Sequence, residues 1–188
     1  MPRRSAGVER RLLLFAGKVV LFLLLFALVW PFLGPYYNRV VAGAAQLLAP
    51  LVSGLPPTAV RVEGEKIEVY LRGHGPEGLE WIASYSQYLF LGLPLLVTLF
   101  LATPGMRILT RLRRLALGLG LLFAIDLFYI LFDIRSTYLS LGLVRASRSE
   151  LYFDAWLQAF FAIGRKLFPL LIWGLLTFPF WLPRPARN

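Results

Sequence analysis

The chain is predicted to be an all-α integral membrane protein with four transmembrane helices, a small extracytoplasmic β-hairpin and interfacial amphipathic helices. Three observations carry this expectation. Four long apolar stretches, centred near Leu24, Leu93, Leu122 and Ile172, are separated by charged or turn-rich segments, and each matches or approaches the ~20 helical residues that cross a hydrocarbon core of ~30 Å. None shows the period-two alternation of a membrane barrel strand. The composition, 58% apolar and 16% charged over 188 residues, departs from the ~25% charged of a soluble domain. Spans are expected at about 12–33, 81–103, 115–134 and 167–182 of a single domain, with residues 36–80 forming an extracytoplasmic amphipathic helix and hairpin.

The first span follows Arg3, Arg4, Arg10 and Arg11, as the h-region of a secretory signal would. Its apolar run exceeds a signal core, so it reads as an uncleaved anchor. Lys18 lies a turn or two inside the cytoplasmic edge, where its stem can carry the ammonium back to the headgroups. Pro31, Gly34 and Pro35 are expected to end this helix, and Tyr36 and Tyr37 to sit at the interface. Residues 40–52 are apolar but too short to span, which suits a surface-lying helix. The period then changes. Val60 and Val62 alternate with Arg61 and Glu63, Gly64 supplies a turn, and Ile67, Val69 and Leu71 alternate with Lys66, Glu68 and Tyr70, the pattern of a β-hairpin.

The second span begins polar, with Ser84, Tyr85, Ser86, Gln87 and Tyr88, continues through an apolar run containing Pro94, and stops at Thr103-Pro104-Gly105. A loop with Arg107, Arg111, Arg113 and Arg114 and no acid should be cytoplasmic. On the third span, Ala116, Gly120 and Ala124 recur every four residues, a small-residue face that another helix can approach closely. Asp126 lies mid-span and Asp133 two turns further along the same face. Acids at that depth must be protonated, paired or turned toward a polar interior, and the Ser84 to Tyr88 group, or else Arg165, is the expected companion of Asp126.

Residues 135–166 interleave cations with Tyr138, Tyr152, Phe153, Trp156, Phe160 and Phe161, an interfacial pattern. Arg145, Arg148, Arg165 and Lys166 are candidate contacts for an anionic partner, or else part of an interface belt. Elsewhere the basic residues cluster before the anchor, in the 103–114 loop and at Arg184 and Arg187. That places both termini on the cytoplasmic side.

The net charge of +10 is thus accounted for by orientation, and nucleic acid is not an expected partner. The absence of cysteine excludes thiol nucleophiles, disulfides and thiolate metal sites. His74, alone in Gly73-His74-Gly75-Pro76, has no companion for a metal shell. No catalytic, cofactor or metal-binding motif occurs, so a non-enzyme is expected, with the bilayer and another integral membrane protein as partners.

The order of parts, together with Tyr88-Leu89-Phe90-Leu91-Gly92-Leu93-Pro94-Leu95-Leu96 and the ending Leu101-Ala102-Thr103-Pro104-Gly105, resembles the small membrane proteins associated with exosortases, in particular the exosortase H-associated type. The resemblance implies an accessory to a membrane transpeptidase that processes sorting tails of exported proteins. It transfers no catalytic residue, because such an enzyme needs a cysteine nucleophile. A subunit of a larger respiratory, photosynthetic or secretion complex, or a lipid-handling protein built around Asp126, Asp133 and Arg165, are the alternatives.

Overall fold

The structure, a computed structural model, describes residues 3–52, 55–73, 78–86 and 90–181. The elements in chain order are α1 (Arg3–Leu48), a 3-10 turn (Ala49–Leu51), β1 (Thr58–Glu63), β2 (Lys66–Arg72), β3 (Leu79–Ser86), α2 (Gly92–Ala102), α3 (Ile108–Ser140) and α4 (Arg148–Trp181). Three helical stretches, Leu13–Leu51, Ile108–Ser140 and Arg148–Phe180, are long and apolar enough to cross a membrane. His74, Gln87, Tyr88, Arg184 and Arg187 lie outside the described residues.

Four expectations are corrected. The first span does not end at Pro31–Pro35. Both prolines lie inside the 46-residue α1, so residues 40–48 continue that helix and do not form a separate surface helix. Each proline removes one backbone hydrogen bond, a loss that neighbouring groups can offset in a membrane helix. Second, residues 81–103 are not one span. Residues 79–86 pair as a strand, and α2 has 11 residues, about 16 Å at 1.5 Å per residue, roughly half the hydrocarbon thickness. Third, the hairpin is two-thirds of a three-stranded antiparallel sheet in the order β1-β2-β3. Fourth, the interfacial segment before Arg165 is continuous with the last apolar stretch in the 34-residue α4.

The predicted hairpin is present. Val60 pairs with Val69 and Glu63 with Lys66, leaving a two-residue loop whose first position, Gly64, has φ +60°. That is the left-handed geometry which a two-residue hairpin turn beginning with glycine requires. Strand β3 answers β2 with Tyr85 opposite Ile67. Its selection over a helix is a matter of pairing, since a strand's preference depends on what lies beside it.

The chain divides into two compact units. The first comprises residues 1–30, 92–122 and 166–188. Its apolar core includes Leu96, Leu99, Phe100, Leu122 and Ile172. Two glycines permit close packing: a Cβ on Gly92 would meet Pro169 at 3.0 Å, and one on Gly118 would meet Phe100 at 3.2 Å and Ile172 at 3.3 Å. Polar groups are tied to this core. Trp173 stacks on Phe15 at 5.6 Å and donates from Nε1 to Thr103 Oγ1 at 2.9 Å, Arg111 donates to the Thr103 carbonyl at 2.8 Å, and Arg114 donates to the Leu176 carbonyl.

The second unit comprises residues 31–91 and 123–165. The sheet's Ile67, Val69 and Leu71 are buried, as are Val41 and Ala45 of α1 and Ile130, Ile134 and Tyr138 of α3. Side chains close the backbone of the sheet. Gln46 Oε1 accepts the Val60 N–H at 2.6 Å, Asn38 donates to the Glu65 carbonyl at 2.8 Å, and Thr58 and Tyr138 share a hydrogen bond of 3.0 Å.

Candidate functional site

The acids of α3 organise the polar interior of the second unit. A carboxylate facing hydrocarbon would cost at least ~2.5 kcal/mol on insertion scales, and neither Asp126 nor Asp133 is left in that position. Asp126 is buried and its Oδ2 accepts the Tyr37 hydroxyl at 2.7 Å. The Tyr37 ring is held edge-on by Phe90 at 5.3 Å and Phe123 at 6.3 Å. Asp133 Oδ2 accepts the Tyr85 hydroxyl at 2.8 Å, and Tyr129 lines a cavity together with Asp133. Burial first, and then the Asp133 charge, pushes the Tyr85 phenol up, so it stays a donor at any working pH.

The expected companions of Asp126 are therefore redistributed. Ser84 donates to Glu68 at 3.3 Å and Tyr85 goes to Asp133, while Tyr37, assigned from sequence to the interface, takes Asp126. Nothing local signals that pairing across 89 positions. Tyr129 was legible, because Asp126, Tyr129 and Asp133 are spaced three and four residues apart and so fall on one helical stripe.

The four candidate cations separate. Arg145, Arg148 and Lys166 are exposed, whereas Arg165 sits over the Tyr129 ring with its guanidinium carbon 4.4 Å from the centroid. Its charge acts on both Asp126 and Asp133, yet it closes no salt bridge to either among the described residues. Two to three turns toward the N-terminus of α4 is a second polar chain: Gln158 donates to Ser136, and Ser136 donates to Asp154 at 2.6 Å. Sequence reading singled out neither Gln158 nor Ser136. Tyr129, Asp133, Gln158, Ala162 and Arg165 line a half-open cavity of about 230 Å³. Among the described residues, no three acids or histidines gather as metal ligands would.

The small-residue face of α3 is the other candidate. Ala116, Gly120 and Ala124 are exposed, and a Cβ on Gly120 would have nothing within 4 Å. The glycine that packs inside the protein is Gly118, two residues away and on the other side of the helix.

A family model described as exosortase H-associated membrane protein matches residues 9–183. No curated protein and no solved structure matches the chain.

Proposed function

Because the chain belongs to the exosortase H-associated membrane protein family, we propose that it is a non-catalytic accessory subunit that binds another integral membrane protein of an exosortase-type protein-sorting system. The observation that carries this reading is the open face at Ala116, Gly120 and Ala124. Between helices in lipid there is no water to expel, so association depends on close backbone approach, and small residues permit it. The α1 helix also supports docking: in its most apolar stretch only 6% of residues are buried within the protein, which leaves the rest for lipid or for a partner. The polar residues of the second unit are engaged mainly with one another, as a scaffold requires, and a chain without cysteine cannot supply the thiolate of a transpeptidase. The orientation consistent with the basic clusters puts both termini in the cytoplasm of a bacterial inner membrane and the sheet outside.

Co-purification in mild detergent tests the proposal. The wild-type chain should bring down a stoichiometric membrane partner, and Gly120→Leu, inserting normally, should lower the yield several-fold. An unchanged yield would remove the α3 face from the interface.

A further inference from the structure

The groove between α3 and α4 in the second unit carries chemistry that docking through the small-residue face does not use. Arg165 is stacked on Tyr129, but its Nε and Nη1 are buried without a hydrogen-bond partner among the described residues. A guanidinium with unmet N–H groups is a site for phosphate or carboxylate oxygens. Asp133 lines the same cavity, and its carboxylate would repel a simple anion there. Gln158 also lines the cavity. With its amide nitrogen committed to Ser136, its carbonyl oxygen is left as an acceptor. The cavity therefore presents both a guanidinium that calls for an anion and acceptors that call for a hydrogen-bonding cation.

Size and surroundings narrow the occupant. A volume of about 230 Å³ is below the ~300–1,000 Å³ of usual small-molecule pockets, enough for a headgroup and too little for a whole amphiphile. Ala162, exposed at the groove, is too small to close it. On the same stretch of α4, Ile163 is 66% and Phe160 44% exposed, so an occupant reaches the groove beside apolar surface suited to acyl chains. We propose that this groove binds the headgroup of a zwitterionic aminophospholipid, its phosphate on Arg165 and its primary ammonium on Asp133 and the Gln158 carbonyl.

The test uses the full-length protein in mild detergent, with native mass spectrometry for lipid retention and thermal unfolding for stabilisation. Phosphatidylethanolamine, phosphatidylcholine and phosphatidylglycerol of matched acyl chains are compared, with soluble glycerophosphoethanolamine as the headgroup alone. Phosphatidylethanolamine should be retained several-fold better than the other two lipids and should raise Tm. Phosphatidylcholine has no ammonium N–H to give, phosphatidylglycerol has no cation, and the soluble headgroup should give no shift at the same concentration. Arg165→Met should abolish retention. Asp133→Asn should erase the preference for phosphatidylethanolamine over phosphatidylglycerol. Ala162→Phe, which blocks the groove and keeps every polar group, should lower retention while leaving the lipid-free Tm in place. Equal retention of phosphatidylglycerol by the wild type, a preference that survives Asp133→Asn, retention unaffected by Ala162→Phe, or an equal shift by the soluble headgroup would each overturn the proposal. Partner co-purification is read separately, so failure here leaves the docking proposal standing.

Discussion

Asp126 is the residue whose environment makes the sharpest demand. Its carboxylate is buried and takes the Tyr37 hydroxyl at 2.7 Å, so removing either partner leaves the other without its hydrogen bond in a largely buried site. Asp126→Leu should destabilise by ~1–3 kcal/mol, the desolvation cost of an unmet polar group, whereas Asp126→Asn keeps an acceptor and should cost less. Denaturant or thermal unfolding in detergent decides between these outcomes, and Tyr37→Phe should be non-additive with Asp126→Leu because both delete one bond. If Asp126→Asn abolished activity in cells with stability and partner binding intact, a purely structural role for this acid would be excluded.

At the scale of elements, α3 presents two glycines with opposite tasks. Gly118 is enclosed, since an added Cβ would fall 3.2 Å from Phe100, 3.3 Å from Ile172 and 3.5 Å from Leu176. Gly120 faces open space. Gly118→Leu should therefore lower Tm markedly through overpacking of ~1–3 kcal/mol or more, while Gly120→Leu should leave Tm unchanged and act only on association. Equal Tm loss in the two variants would mean that both faces are packed. The sheet offers a pH-dependent test. Tyr70 of β2 donates to Glu63 of β1 at 2.8 Å, and that bond, more than burial, pushes its phenol up to about 12. A raised folded-state value means that the tie is fully present below the ordinary tyrosine range near ~10 and is lost as pH rises through about 12. Absorbance titration should show a tyrosine titrating near about 12 that moves down in Glu63→Gln.

For the whole molecule the testable quantity is orientation. The three long helices exceed what a hydrocarbon core of ~30 Å requires, α1 alone running to about 69 Å over its 46 residues at 1.5 Å per residue, so each must project beyond it. Basic clusters before the anchor and in the 103–114 loop favour a cytoplasmic N-terminus and an outward sheet. With α2 only about 16 Å long, that arrangement requires the chain from β3 to Thr103 to return across the bilayer with less than a full helical span. A single cysteine at Arg61 or Gly73 should react with an impermeant reagent in intact cells, and terminal tags should stay protected. Labelling of the C-terminus alone would mean that α2 does not complete the crossing.

Composition and hydropathy were sufficient to determine the membrane class, the position of the long apolar stretches, the two hairpin strands with their Gly64 turn and the carboxylate stripe of α3, because these depend on residues close together in the chain. Repeating small residues likewise showed a helix face before any coordinates did. Other features depended on tertiary pairing. Whether Pro31 and Pro35 stop α1 turns on whether neighbours satisfy the freed carbonyls. Whether Leu79–Ser86 is a helix or a strand turns on β2 lying beside it. Tyr37 finds Asp126 across 89 positions and Tyr85 finds Asp133 across 48, and the choice between Gly118 and Gly120 follows from where Phe100 and Ile172 sit. Hydropathy is a sum over local residues, but the cost of burying a polar group is settled only by the partner that the fold brings to it.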